Sequence, residues 1–266
     1  MNYYKDKVIW ITGASSGIGE ALAVALYNQG ARLILSARRE EALKEVKQKC
    51  SGADDPNIQI LPLDLSDVDK MAEKTEEAIS LFGQINIFFS NGGVSQRSLA
   101  AETHIDVTRR VMDINFMGAA AISRILLQHM IERKTGHIIV TSSVTGKFGT
   151  RLRSTYAASK HALHGYFDSV RQEVRQHNIA VTMVCPGFIK TDVSRNALTS
   201  DGSKYGIMSP GQQNGMEPAE YAQRVLPKIA KRKMEIYIGG SEITGIYVKR
   251  FFPTLFYNII RKLKIT

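Results

Sequence analysis

Short runs of β-branched and aliphatic residues alternate along the chain with longer amphipathic stretches. The runs at Val8 to Ile11, Arg32 to Ser36, Ile58 to Leu61, Ile87 to Phe89, His137 to Thr141, Val181 to Val184 and Glu235 to Ile238 predict seven strands. Helical periodicity between them predicts helices over about 18–29, 39–49, 67–82, 104–133, 156–177 and 218–232. Such alternation predicts an α/β fold with a doubly wound, parallel seven-stranded sheet in three α/β/α layers. Val8, Ile9, Trp10 and Ile11 are continuously apolar, as a central strand buried on both faces requires. Ligands of such sheets bind beyond the carboxyl ends of the strands, so the loops there are the candidate site.

Two segments break the pattern. Pro186 to Pro218 is rich in Gly, Ser and Pro, lacks periodicity and exceeds ordinary loop lengths, which predicts a substrate lid. From Gly245 the chain reads GIYVKRFFPTLFYNIIRKLKIT, aromatic and basic with no acid. The expected organisation is one domain over 1–244 and a basic amphipathic extension over 245–266.

The 266 residues and 44% apolar content suit one α/β domain with a sizeable core. Cys50 and Cys185 lie far apart without metal-ligand spacing, so no metal is expected. No secretory leader precedes Val8, which favours a cytoplasmic setting. No run reaches the ~18–20 continuous apolar residues of a membrane span, so the chain is not expected to cross a bilayer. The net charge of +10 favours anionic partners, but without a recognition motif nucleic acid is not expected.

Thr12-Gly13-Ala14-Ser15-Ser16-Gly17-Ile18-Gly19 follows the first strand directly and opens an amphipathic helix. Glycines at 13, 17 and 19 allow a tight turn and close backbone approach to a pyrophosphate, which the helix start attracts. Ser15 and Ser16 add hydroxyl donors. This strand, turn and helix form a Rossmann-type dinucleotide site, with Ile18 in the first helical turn. The second strand ends in Ser36-Ala37-Arg38-Arg39, where NAD-binding folds usually place an acid for the ribose 2′-hydroxyl. A guanidinium there can form bidentate bonds to a 2′-phosphate, which favours NADP(H), with Arg38 the first candidate and Arg39 the second.

With these motifs in order, the chain resembles the short-chain dehydrogenase/reductase family over roughly residues 5–240. The resemblance assigns Asp64 and Leu65 to the adenine and Asn91 to support of the central sheet. Ser90-Asn91-Gly92-Gly93 departs from the family's usual Asn-Asn-Ala-Gly, placing Gly92 where alanine is usual and predicting a looser turn or a backbone closer to the cofactor. Thr155-Tyr156-Ala157-Ala158-Ser159-Lys160 supplies the family's Tyr-x-x-x-Lys, and a spacing of four puts both side chains on one helix face. A phenol is a poor base at neutral pH, and the ammonium of Lys160 is the expected source of the field that favours its phenolate.

Ser143, thirteen residues before Tyr156, has the spacing of the family's substrate-orienting serine, ahead of Ser142. Its hydroxyl can donate to the carbonyl oxygen as charge develops. Asn115, a polar residue within an apolar helix, matches the family asparagine that holds a water next to the lysine. Pro186, Gly187, Ile189 and Thr191 match the segment beside the nicotinamide. The resemblance thus implies an NADP(H)-dependent oxidoreductase interconverting a small-molecule carbonyl and an alcohol, with Asn115, Ser143, Tyr156 and Lys160 as the catalytic set. Helices 104–133 and 156–177 resemble those that pair across subunits in this family, which implies a homodimer or homotetramer.

The tail allows three arrangements. Lys249, Arg250, Arg261, Lys262 and Lys264 interleave with apolar residues, as in a segment lying on an anionic membrane. Phe251, Phe252, Leu255, Phe256, Ile259 and Ile260 would equally pack over the substrate mouth or against a second subunit. Tails of this composition resemble those of family members acting on steroids, retinoids or lipids, which points to an apolar ketone or lipid carbonyl. The alternatives of another class are a catalytically silent NADP(H)-binding scaffold and a peripheral membrane protein with a secondary enzyme site.

Overall fold

A computed structural model describes residues 2–52 and 54–262. In chain order the sheet strands are β1 (Val8–Thr12), β2 (Arg32–Ser36), β3 (Ile58–Ile60), β4 (Ile87–Ser90), β5 (Gly136–Thr141), β6 (Ile179–Pro186) and β7 (Glu235–Ile238). All pair in parallel in the order β3-β2-β1-β4-β5-β6-β7, with Trp10 of β1 opposite Ile34 on one side and Phe88 on the other. The seven expected strands are present. The chain reverses direction across the sheet between β1 and β4, and the crevice of a doubly wound sheet opens there.

Helices α1 (Gly17–Tyr27), α2 (Glu40–Cys50), α3 (Met71–Phe82), α4 (Ile105–Met112), α5 (Gly118–Glu132), α6 (Ser154–Glu173), α7 (Pro210–Gln213) and α8 (Pro218–Ala230) follow, with α9 (Thr244–Phe251) and α10 (Pro253–Ile260) ending the described chain. The alternation of β1 divides the core in two. Ile9 and Ile11 face Leu22 and Leu26 of α1, Leu43 of α2 and Val225 of α8. Val8 and Trp10 face Met71 of α3, Leu126 of α5 and Phe167 of α6. The buried Trp10 indole N–H donates to Ser36 Oγ at 2.9 Å, so the largest core side chain carries no unpaired polar group.

The helix expected over 104–133 is not a regular α-helix. A π turn over Asp113–Met117 separates α4 from α5 and carries Asn115. Such turns are rare and collect at functional sites. The combined 28-residue helix Ile105–Glu132 is long and apolar enough, by length and composition, to cross a bilayer. In the fold its Ile122, Leu126 and Met130 are buried against the sheet.

The 186–218 segment is clasped to its surroundings. Leu198 bridges to Gln96 and Lys204, Ile189 bridges to Met216, and Leu198 packs on Val107 and Val111 of α4.

Candidate active site

The strand ends and the clasped segment enclose a cleft of about 1440 Å³. That exceeds the ~300–1,000 Å³ of an ordinary small-molecule pocket and leaves room for a dinucleotide and a second molecule. Of the catalytic and cofactor-binding candidates singled out in the sequence, all but Gly19 and Asn115 line it.

At the switch point Gly13 (φ +66) and Gly17 (φ +57) occupy the left-handed region, where a side chain is strained. A Cβ on Gly13 would lie 2.7 Å from Gly92 Cα, and one on Gly19 would strike the Gly13 carbonyl oxygen. Gly19 is therefore a packing residue that lets α1 start directly under the turn. Ser16, the residue preceding α1, makes no side-chain cap bond, so its hydroxyl and the first N–H groups of α1 remain open to an anion. At Gly92 a Cβ would lie 2.5 Å from Leu65 Cδ1, so the packing of Leu65 against this turn requires glycine.

Thr12 and Asn91 stitch β1, β4 and β5 together. Thr12 Oγ1 accepts from the N–H groups of Asn91 and Gly92 at 3.1 and 3.2 Å. Asn91 Nδ2 donates to the Thr12 carbonyl at 3.3 Å, and its Oδ1 accepts from Thr141 Oγ1 at 3.2 Å.

Beyond β2, Arg38 and Arg39 are exposed on the cleft wall. At the exposed Asp64 partial desolvation raises the carboxyl, but the Ser66 N–H and hydroxyl with Arg38 and Arg110 outweigh this and hold it low. It stays a hydrogen-bond acceptor, and the cation Arg110 joins this end of the cleft.

At the other end Tyr156 and Lys160 share the face of α6 that meets β5. The Lys160 ammonium lies 5.7 Å from the Tyr156 ring centre and donates to the Thr141 carbonyl at 2.8 Å. Burial pushes Lys160 down to about 8. Burial also raises the Tyr156 phenol, opposed by the charge of Arg153 and by a hydrogen bond with Ser143. Arg153, three residues earlier, thus adds a second cation beside the phenol to that of Lys160.

Ser143 and Ser142 differ in what occupies them. Ser143 Oγ accepts from the Thr145 N–H at 3.2 Å and from Thr145 Oγ1 at 2.9 Å, so its own proton is directed elsewhere. Ser142 Oγ instead meets His164 Nε2 at 3.0 Å inside the protein. Asn115 is 2% exposed and stands behind the wall, where its Nδ2 donates to Ser159 Oγ at 2.9 Å. Gly93 admits this neighbourhood, because a Cβ there would lie 3.1 Å from Asn115 Oδ1 and 3.5 Å from Lys160 Nζ.

After β6, Gly187 N–H donates to the Ile238 carbonyl at 2.8 Å and Phe188 N–H to Glu242 Oε1 at 2.8 Å. Thr191 Cγ2 would touch a Cβ on Gly17 at 2.8 Å, which brings this segment over the glycine turn. The tail roofs the same end: Phe256 stacks on Phe148 with ring centres 4.9 Å apart, and both pack with Val144 and Ile246. Its other side leaves Phe251 and Phe252 69% and 63% exposed. Lys264 lies outside the described residues.

Thr12, Gly93, Arg110, Arg153 and Glu242 were not singled out in the sequence. Thr12 had a signal as the first residue of the glycine motif and Gly93 in the Asn91-Gly92-Gly93 run; the others had none in local spacing. His164, Cys185 and Glu235, unrelated in sequence, offer ligand atoms within 4.8 Å of one another. Glu235 is already paired with Lys147 at 2.5 Å, and burial holds the Cys185 thiol up at about 12.

Comparison with known proteins bears on the family and the fold. The family profile described as short chain dehydrogenase matches residues 7–201. Dehydrogenase/reductase SDR family member 7B of Bos taurus is 38% identical over 264 residues, covering 97% of this chain and 81% of the bovine protein. Two solved short-chain dehydrogenases share the fold at 22% identity. One, from Burkholderia cenocepacia in complex with NADP, has a TM-score of 0.79 and coverage of 98% and 99%. The other, from Burkholderia phymatum in complex with NAD, has a TM-score of 0.82 and coverage of 100% and 98%. The chain belongs to the short-chain dehydrogenase/reductase family of oxidoreductases.

Proposed function

We propose that the chain is an NADP(H)-dependent oxidoreductase that interconverts a carbonyl and an alcohol, with Tyr156 as acid and base. The supporting observation is that the Tyr156 phenol, the Ser143 hydroxyl and the Lys160 ammonium line one cleft together with the Gly13–Gly19 turn. Arg38 on the same wall favours NADP(H), since similar folds are found with either nucleotide. The residues fit such a cofactor: an uncapped helix start for the pyrophosphate, Asp64 and Leu65 at the adenine end, and Pro186, Gly187, Ile189 and Thr191 over the nicotinamide end.

A bound nicotinamide supplies or removes the hydride. In reduction Tyr156 gives its phenolic proton to the substrate oxygen, and in oxidation it takes that proton back. Ser143, its oxygen already accepting twice, donates to the same substrate oxygen. Lys160 keeps a cation beside the phenol, and Asn115 fixes the Val94 backbone that walls the site. Val144, Phe148, Phe256, Ile259 and Ile260 give the substrate end an apolar lining that suits a lipid-like body.

Titration of the protein with NADPH and NADH, followed by nicotinamide fluorescence and then by a panel of ketones, tests the reading. Tighter NADPH binding and ketone-dependent oxidation support it; no nucleotide binding overturns it.

Two associations accompany this reading. The exposed Phe251, Phe252 and Leu255 next to Arg250, Arg261 and Lys262 favour peripheral contact with an anionic bilayer. Equal partitioning onto anionic liposomes by the intact chain and one ending before Gly245 would refute that contact. A homodimer or homotetramer through the helices over 104–133 and 156–177 is favoured by the exposed Met117 in the first of them, and a monomer in light scattering refutes it.

A further inference from the structure

Two arginines beside the proposed acid and base lack a counter-charge. Arg97 is 4% exposed and Arg153 9%. Among the described residues neither forms an ion pair, and Arg97 Nε, Arg97 Nη2 and Arg153 Nε are buried without a hydrogen-bond partner. The charged or ionisable groups acting on Arg97 are Arg153 and Tyr205, and the one acting on Arg153 is Tyr156. None is a carboxylate. Burial, with the neighbouring Arg153 adding to it, pushes Arg97 down to about 10.

This arrangement works against the fold alone. A guanidinium keeps its charge, and removing it from water without a partner is costly. Two of them together add repulsion. The clasped segment nevertheless seals Arg97 in: its N–H donates to the Leu198 carbonyl at 2.8 Å, and its guanidinium lies 5.8 Å from the Tyr205 ring centre. Arg153, directly before the start of α6, lines the cleft, and so does Thr150, whose buried hydroxyl also has no partner. The positive end of α6 adds to the same attraction.

We propose that Arg153, backed by Arg97, binds an anionic group on the substrate, a carboxylate or a phosphate, so that the carbonyl compound is an acid with an apolar body. This rests on the oxidoreductase reading above. The anion sits one helical turn before Tyr156. There it offsets the pull of Arg153 on the phenol, which keeps Tyr156 protonated, the form that reduction consumes. Arg153 is thereby a specificity residue, and Arg97 a positioning residue behind it.

Calorimetry on the full chain loaded with NADPH tests this with octanoate, octyl phosphate and octanol. The expected result is that at least one anion binds tenfold or more tightly than octanol, the tighter one distinguishing carboxylate from phosphate. Arg153→Gln and Arg97→Gln each remove that preference while Arg153→Lys retains part of it, and NADPH affinity reports that each variant is folded. Equal or undetectable binding of all three ligands to the NADPH-loaded chain overturns the inference, as does a preference that survives in both glutamine variants. A wild-type chain that takes up no NADPH overturns the oxidoreductase reading instead.

Discussion

The side-chain amide of Asn115 pairs with the backbone of Val94 on both of its polar groups. Oδ1 accepts from the Val94 N–H at 2.8 Å, and Nδ2 donates to the Val94 carbonyl at 2.9 Å. The π turn that carries Asn115 thus holds the strand end after β4 in register with Ser159 and the Lys160 side of α6. Asn115→Ala leaves the part-buried N–H and carbonyl of Val94 unpaired, each costing up to about 1–3 kcal/mol. Its denaturation midpoint is expected to fall accordingly, and an unchanged midpoint would show that solvent reaches Val94.

Tyr156→Phe removes the group that exchanges a proton with the substrate and little else, because no backbone contact depends on its hydroxyl. Turnover is expected to drop by about 10²–10⁴-fold, the usual contribution of acid and base catalysis. Affinity for NADPH should stay within a few fold. Wild-type turnover by the variant in a working ketone assay would remove Tyr156 from the chemistry.

What was legible beforehand follows from the range of the interactions concerned. Tyr156 and Lys160 lie one helical turn apart, and Gly13, Gly17 and Gly19 follow a strand directly, so local spacing carries both motifs. The strands were legible because burial on both faces makes them continuously apolar, as in Val8 to Ile11. The π turn was not, since one inserted residue barely disturbs the apolar periodicity of 105–132. Arg153 reads in sequence as a solvated residue before a helix, and nothing in its local spacing marks it as buried. The tail was legible as amphipathic, but which side faces Phe148 depends on a partner about a hundred residues away.

Arg38→Ala should weaken NADPH and leave NADH nearly unchanged. Hydrogen bonds to a charged group contribute about 1.5–3 kcal/mol, which corresponds to roughly a ten- to hundredfold loss of NADPH affinity. Arg38 also acts on Asp64, so part of any common loss to both nucleotides comes through that carboxyl. Equal weakening of both in fluorescence titration would place Arg38 at the adenine or the surface, and not at a 2′-phosphate.

His137 ties stability to acid pH. It is buried in β5 between Tyr3, whose hydroxyl lies 2.9 Å from Nδ1, and Thr182, whose Oγ1 lies 2.8 Å from Nε2. Thr182 spends its own proton on the Lys233 carbonyl at 2.7 Å, so Nε2 must carry the hydrogen and Nδ1 must accept from Tyr3. The ring is therefore held neutral, and burial, with Arg232 and Lys7 nearby, lowers its pKa from 6.5 to about 3. Between those values the unfolded chain binds a proton that the folded chain refuses, so stability is full above pH 6.5 and falls as pH drops toward 3. The loss is on the order of a few kcal/mol. His137→Gln keeps a donor and an acceptor without the titration, and its unfolding free energy should depend less steeply on pH across that window. An identical slope in variant and wild type would assign the acid sensitivity to other groups, with His164, which burial lowers to about 4 beside Lys147 and Glu235, the next to test.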